Sequence, residues 1–436
     1  MATLEKGSKK LINAWAFYDW ANSVYSLVIA TAVFPIYYES ITSENDGIVN
    51  FLGTTFHNST LLSYSLSFSF LIVAMLSPIL SGIADYTGNK KRFMQFFCYL
   101  GSLSVMSLFF FTGKENLWIG IVFTILASIG FWGSIVFYNS YLPEIAQPEQ
   151  HDSVSAKGFM YGYTGSVLLL AFNLVMVMKP ELFGIEDPKL PARISFLMVG
   201  IWWMGFAQVT FYHLPNNVYH KKPEKDFIFK GFKELGKVLK SLKSLVQLKQ
   251  FLTAFFLYSI GVQTIILLLG IYVKKELGID TSKLIIIILL IQLVAILGAY
   301  LFSKLSAKIG NIKTLKITVA IWGLICVAIY MINAKSEYID VQVYLLGAAI
   351  GMVLGATQSL SRSTYSKILP DTEDHATYFS FFDVTEKIAI VVGTFIFGLV
   401  GAISDSLRNS IFILALFFLL GYIVLGFMKK RELTSK

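Results

Sequence analysis

The chain has 436 residues, 55% of them hydrophobic and 14% charged, with a net charge of +9 and a mean hydropathy of +0.65. Soluble domains carry about 25% charged residues, so this composition excludes an ordinary soluble enzyme or binding module and points to a membrane protein. The basic excess is distributed as a topology signal, so no nucleic-acid partner is expected.

Apolar runs of about 20 residues, long enough to cross about 30 Å of hydrocarbon, recur along the whole chain. They lie near 14–38, 59–83, 93–112, 117–140, 158–178, 194–213, 250–273, 284–303, 314–334, 341–361, 377–402 and 409–428. The pattern predicts an all-α polytopic membrane protein of twelve spans. The first run is too long, and too closely followed by others, to be a cleaved signal peptide.

That first run contains Asp19. An ionisable group in hydrocarbon costs about 2.5 kcal/mol or more, so it is kept where it faces a cavity or a partner. Trp15, Asp19, Asn22 and Ser26 are spaced four, three and four, which puts them on one helical face and predicts a polar stripe lining a cavity. The alternative is an aromatic belt of Trp15, Tyr18 and Trp20 with Asp19 at the headgroups. The 18 residues from Ala21 to Tyr38 could then span without it.

The longest polar interruption divides the chain into six spans over 1–213, a connector over 214–249 and six spans over 250–436. In the connector Ile228, Phe232, Leu235, Leu239, Leu242 and Val246 recur at steps of four and three, with lysines on the other face. This predicts a basic amphipathic helix lying along the inner leaflet, where anionic lipid adds to its binding. The run Gly231-x4-Gly236-Lys237-Val238 is only a near-match to a phosphate loop, since Val stands where Ser or Thr must reach the metal.

The two halves echo each other. Gly88-Asn89 after the second span returns as Gly310-Asn311 after the eighth, 222 residues on; Tyr138 and Pro143-Glu144 return as Tyr365 and Pro370-Asp371, 227 residues on. Similar offsets at matching points indicate a duplication related by an axis along the membrane normal.

Span ten ends in Gln358-Ser359-Leu360-Ser361-Arg362, which puts Gln358 and Arg362 on one face. The guanidinium suits a carboxylate, whether Glu386, Asp19 or a substrate's own; a topology charge at the helix end is the alternative. In span eleven the uninterrupted apolar stretch, Ile388 to Ile403, has 16 residues, or roughly 24 Å. The turn holding Asp383, Glu386 and Lys387 is therefore drawn into the membrane. Asp383 and Lys387 stand at i,i+4 and can pair, which leaves Glu386 with an uncompensated charge or at the interface.

Cys98 and Cys326 fall inside apolar runs and read as small hydrophobes. No His-Glu-x-x-His, Cys-x-x-Cys or Gly-x-Ser-x-Gly occurs, so neither a cofactor nor a metal is expected. The Asn58-Ser59-Thr60 acceptor falls at a span edge and reads as accidental. With both termini inside, inner segments hold 26 Lys and Arg and outer segments 9, Lys387 completing the 36. That bias places the termini in the cytoplasm. Gly53, Glu115, Glu186, Asp280, Ser336 and Asp405 then lie outside; Lys90, Glu149, Glu234, Asn311 and Asp374 lie inside.

The six-plus-six pattern, and the run Gly82-Ile83-Ala84-Asp85-Tyr86-Thr87-Gly88-Asn89-Lys90-Lys91-Arg92 between spans two and three, resemble the major facilitator superfamily. The run departs from that family's loop motif at Ile83 and Asn89, which shifts its basic register to Lys90, Lys91 and Arg92. The resemblance implies that Asp85 caps the eleventh helix on the cytoplasmic side and locks the outward-facing state; a solvated turn is the alternative. Asp85, Lys90, Lys91, Arg92, Asp383 and Lys387 are the candidate gating residues. Trp15-Ala16-Phe17-Tyr18-Asp19-Trp20-Ala21-Asn22-Ser23, Gln358 to Ser363 and Leu369-Pro370 are similar to the vacuole effluxer family, whose fungal members release amino acids from vacuoles.

The expected protein is a secondary transporter working by alternating access on a small polar metabolite, with an amino acid favoured by the resemblance. Asp19, Asn22, Gln358, Arg362 and Glu386 are the candidate substrate or proton residues, and protons are the candidate coupling ion. The rivals are an uncoupled facilitator, a membrane-embedded sensor or scaffold without transport and, least favoured, a membrane enzyme. A monomer in the plasma membrane of a bacterium is expected.

Overall fold

The computed structural model describes residues 5–44, 46–216, 226–404 and 406–428. Asp405, part of the connector (217–225) and the basic tail (429–436) lie outside the described residues, as does the side chain of Ile228. Among the described residues, twelve helices are long and apolar enough to cross a membrane. Spans one to six are Lys9–Thr42, Asn58–Thr87, Lys90–Phe110, Lys114–Ile145, Pro148–Met178 and Leu190–His213. Spans seven to twelve are Val246–Leu277, Lys283–Ile309, Asn311–Met331, Ile339–Ile368, His375–Ser404 and Leu407–Phe427. Their outward faces are as apolar as their cores: Leu345, Phe395 and Met331 are all exposed. That pattern suits helices solvated by lipid on one side and by protein on the other.

Span one is not a uniform helix. An α-helix over Lys9–Val24 passes into a π-helix over Tyr25–Val33 and back into an α-helix over Phe34–Thr42. The Phe34 amide bonds to the Ile29 carbonyl, and the Thr31 hydroxyl reaches five residues back to the Ser26 carbonyl at 2.8 Å. Nothing in the apolar pattern predicts this, because a π turn leaves hydropathy unchanged.

The segment after span one also forms a hairpin, Ile48–Phe51 paired antiparallel with Thr54–His57, in the register Ile48↔His57. Its turn residues Leu52 and Gly53 have φ of 53° and 78°, as a two-residue mirror-image turn requires. Glycine takes that conformation freely, whereas leucine is strained in it.

The chain sorts into two compact units. The first comprises Met1–Ala146, Tyr161–Leu235 and Glu373–Ser380. Here glycines let helices touch: a Cβ on Gly130 would lie 2.4 Å from the Gly101 Cα, so spans three and four meet backbone to backbone. Trp203 of span six fills the space beside Gly101, flanked by Tyr25 and Phe131. The second unit comprises Gln147–Met160, Gly236–Thr372 and Phe381–Lys436. In it spans eight and ten close over Gly351 and Gly355; a Cβ on the latter would lie 2.0 Å from the Ala295 carbonyl oxygen. Trp322 and Phe418 stack at 5.7 Å to join spans nine and twelve.

The connector forms a helix over Phe227–Ser244.

Candidate functional site

In the first unit the last turn of span two presents Asp85. Gly88, with φ of 70°, ends that helix in the left-handed conformation and reverses the chain within a few residues. Asp85 at one end of the turn and Lys90 at the other thereby come to 3.9 Å. The Asp85 carboxylate, 1% exposed, accepts the backbone N–H of Ala376 at 3.2 Å and of Thr377 at 2.7 Å, and the Thr377 hydroxyl at 2.8 Å. This is the geometry of a helix N-terminal cap, placing an anion where orphan amides and the helix dipole favour it. Lys90 also pairs with the buried Glu144, whose carboxylate lies 3.1 Å from His375 Nδ1. Lys91 turns away to donate to the Leu214 carbonyl at 2.9 Å, and Arg92 is exposed.

Higher in the same unit lies the polar stripe of span one. Trp15 and Tyr18 are fully buried, so they do not form a belt at lipid headgroups. Trp15 stacks on Tyr138 at 4.4 Å and donates from its indole N–H to the Tyr138 carbonyl at 2.9 Å. That pairing aims the Tyr138 hydroxyl at Asp19, to which it donates at 2.8 Å. Asn22 is buried one turn on; its carbonyl oxygen accepts from Ser23 at 3.3 Å, and its amide nitrogen has no hydrogen-bond partner.

In the second unit span eleven holds a charge cluster in which Asp383 and Lys387 are buried and Glu386 is half-buried. Lys387 Nζ lies 2.7 Å from Asp383 and 3.6 Å from Glu386. Gln263 of span seven donates to the other Glu386 oxygen at 2.7 Å. One oxygen of Asp383 is buried without a hydrogen-bond partner. Two carboxylates thus share one ammonium, and the cluster can take up one proton and still be no more than neutral.

Arg362 is also buried. Its guanidinium donates to the Ser155 hydroxyl at 2.9 Å and to the Ser155 carbonyl at 2.8 Å, and lies over the Phe159 ring at 4.1 Å. Gln358, one turn earlier, is half-buried.

Close by, Asp152 accepts from Lys367 at 2.7 Å, Asn311 at 2.6 Å and Ser306 at 2.8 Å. Gly310, with φ of 91°, makes the turn that presents Asn311. Both glycines of the repeated Gly-Asn pair take positive φ, but Gly88 is left-handed with ψ of 15° and Gly310 has ψ of 153°, and the two turns carry opposite chemistry. In the first the loop side brings the acid to a helix start; in the second the helix start supplies the acid.

Nothing in the local sequence marks His375, Gln263, Asp152 or Lys367 as site residues, and Tyr138 and Glu144 are marked only as members of a repeat. Among the described residues no group of three or more His, Cys, Asp or Glu side chains could hold a metal ion.

A family model for vacuole effluxers, described as Atg22 like, matches residues 7–433. The chain belongs to the vacuole effluxer Atg22-like family. This Atg22-like chain is 31% identical over 425 residues to the uncharacterized MFS-type transporter YxiO of Bacillus subtilis, covering 97% of one and 96% of the other. It is 22% identical to autophagy-related protein 22-1 of Penicillium rubens, covering 85% of this chain and 75% of that one. Among solved structures, the proton:xylose symporter XylE superposes with a TM-score of 0.70 at 13% identity, over 96% of this chain and 95% of that one. The Atg22-like chain is a multi-pass membrane protein with the major facilitator fold and an MFS-type transporter role.

Proposed function

We propose that this Atg22-like protein is a secondary transporter that moves a small polar metabolite by alternating access, with an amino acid or similar zwitterion as substrate and protons as coupling ion. The observation that carries the proposal is the Asp383–Lys387–Glu386 cluster, in which Asp383 and Lys387 are buried and Glu386 is half-buried. Buried charge of this kind in a span is expensive and is kept for a pathway or relay. Glu386 is the proton carrier, since its two oxygens face one neutral amide and one shared ammonium. Asp19, oriented by Tyr138, with Asn22 beside it, is the substrate contact of the first six spans. Arg362 is engaged by Ser155 and Phe159, which favours a role in holding span ten in place over direct capture of a carboxylate, and Gln358 stays a candidate substrate contact.

Asp85 and Lys90, supported by Lys91 and Arg92, gate the pathway from the side carrying the connector, and Asp383 and Lys387 transmit protonation to the same helix that Asp85 caps. The 26-to-9 charge bias supports cytoplasmic termini. The resemblance to vacuole effluxers, whose fungal members release amino acids, supports an amino acid or related cargo. The protein is read as a monomer in a bacterial plasma membrane, functionally divided at the connector into residues 1–213 and 250–436.

The test is transport in proteoliposomes, after a thermal-shift screen of amino acids selects the cargo, because a true substrate stabilises the state that binds it. Wild-type protein should accumulate cargo against a gradient when a pH gradient is imposed. Glu386→Gln should keep substrate exchange and lose that accumulation. Accumulation that survives in Glu386→Gln rejects this proton route, and wild-type flux indifferent to pH identifies an uncoupled facilitator.

A further inference from the structure

The connector helix Phe227–Ser244 meets span two through two glycines. A Cβ on Gly82 would fall 2.5 Å from the Gly231 carbonyl oxygen, and one on Gly231 would fall 2.8 Å from the Ile83 Cα. Leu235 closes the contact one turn later, 3.5 Å from the same point above Gly82. The Lys230 ammonium lies 5.8 Å over the Tyr86 ring. Gly82, Ile83 and Tyr86 bracket Asp85, the residue that caps span eleven. The connector therefore rests on the turn that holds the cap.

The helix has two further faces. Phe232 and Leu239, seven residues apart, share one exposed apolar stripe, and Phe229 is 77% exposed. Lys233, Lys240 and Lys243 point outward beside them, and Glu234 is the helix's one acid. A soluble helix would not expose two phenylalanines and a leucine beside a basic edge. An anionic leaflet fits both, with acyl chains on the rings and headgroups on the ammonium groups.

We infer that the connector helix is a sensor of leaflet charge: anionic lipid holds it against span two and so strengthens the Asp85 cap on span eleven. Docking and lipid contact use different faces, so lipid binds the docked helix without displacing it, and it shifts the balance toward docking by the excess of its affinity for that state. Each exposed lysine contributes roughly fivefold to leaflet affinity at low salt, an effect that salt screens. The inference rests on the gating role given to Asp85, and its test needs no transport.

The full-length protein is placed in nanodiscs of phosphatidylcholine alone or with phosphatidylglycerol. A fluorophore on Phe229→Cys reports immersion of the helix, and amide exchange over residues 373–380 reports the cap. Both native cysteines are buried, so labelling is selective. Phosphatidylglycerol should blue-shift the fluorophore and slow exchange at 373–380 several-fold. The Lys233→Gln, Lys240→Gln, Lys243→Gln triple variant should lose both responses. Gly231→Leu, which cannot seat on Ile83, should keep the fluorescence response and lose the exchange response. Exchange at 373–380 that ignores lipid charge in the wild type, or responds equally in Gly231→Leu, overturns the inference; the helix would then be an anchor only. Loss of transport in Glu386→Gln bears on the proton route and leaves this result untouched.

Discussion

Replacing Asp85 by Asn deletes the negative charge at the start of span eleven while keeping the size of the side chain. The carboxylate accepts three hydrogen bonds, two of them from backbone amides that have no intrahelical partner. An amide has one accepting oxygen, and its NH2 group would face the Ala376 N–H donor to donor. Loss of an N-cap costs about 0.5–2 kcal/mol, and an anion at a partly buried helix start contributes up to about 2 kcal/mol. These overlap, so about 2 kcal/mol is expected. At about 1.4 kcal/mol per factor of ten, the first turn of span eleven should open about 30-fold more often. Amide exchange reads local opening directly, so residues 373–380 should exchange about 30-fold faster in Asp85→Asn. Thr377→Val, which removes only the hydroxyl donor, should cost about 1 kcal/mol and give a smaller acceleration. Exchange around Asp152 and Lys367 serves as the control and should not change. If residues 373–380 exchange at the wild-type rate in Asp85→Asn, the cap does not restrain this helix and the gating proposal fails with it.

Asp19→Asn should insert and melt like the wild type yet lose transport; transport at the wild-type level would return Asp19 to a structural role. Tyr138→Phe keeps the stack on Trp15 and loses one hydrogen bond, so a thermal-stability loss of about 1 kcal/mol is expected. Lys387→Met leaves the buried Asp383 carboxylate without its ammonium and should destabilise by about 3–5 kcal/mol. The double variant Asp383→Asn, Lys387→Met should recover much of that, and failure to recover would show that the pair is not coupled. Cysteines at Gly53, Glu115, Glu186, Asp280 and Ser336 should react with an impermeant reagent from one side of the membrane. Those at Glu149, Glu234, Asn311 and Asp374 should react only from the other, and a loop reacting out of turn breaks the twelve-span order.

Much of the fold was legible because hydrocarbon is a harsh solvent for polar groups. A run that must satisfy its own backbone can only be a helix, so twelve apolar runs read as twelve spans. The unusual charges at Asp19 and in span eleven were legible for the same reason. Partner identity was not. Arg362 looked suited to a carboxylate, yet Ser155 and Phe159 hold it, and those residues lie some two hundred positions away with nothing local to mark them. The Asp152 cluster draws on four separate segments, each of which alone resembles an ordinary span end. Leu52 in the hairpin turn gave no signal, because a leucine with positive φ contradicts the residue preferences that reveal such turns.

The π-helical stretch of span one has a consequence for how this helix tolerates change. Each i→i+5 bond carries about one more residue per turn than the α-helix on either side. The stretch from Tyr25 to Val33 therefore acts as a slack coil between two fixed gears. Removing one residue there would tighten the coil toward α geometry while Asp19 and Asn22 below, and Tyr37 and Tyr38 above, keep nearly their own phases. The same deletion at Trp15 would rotate Asp19 about 100° relative to the anchored residues before it. Length variation in this span should accordingly be absorbed between Tyr25 and Val33 and rejected before Asn22.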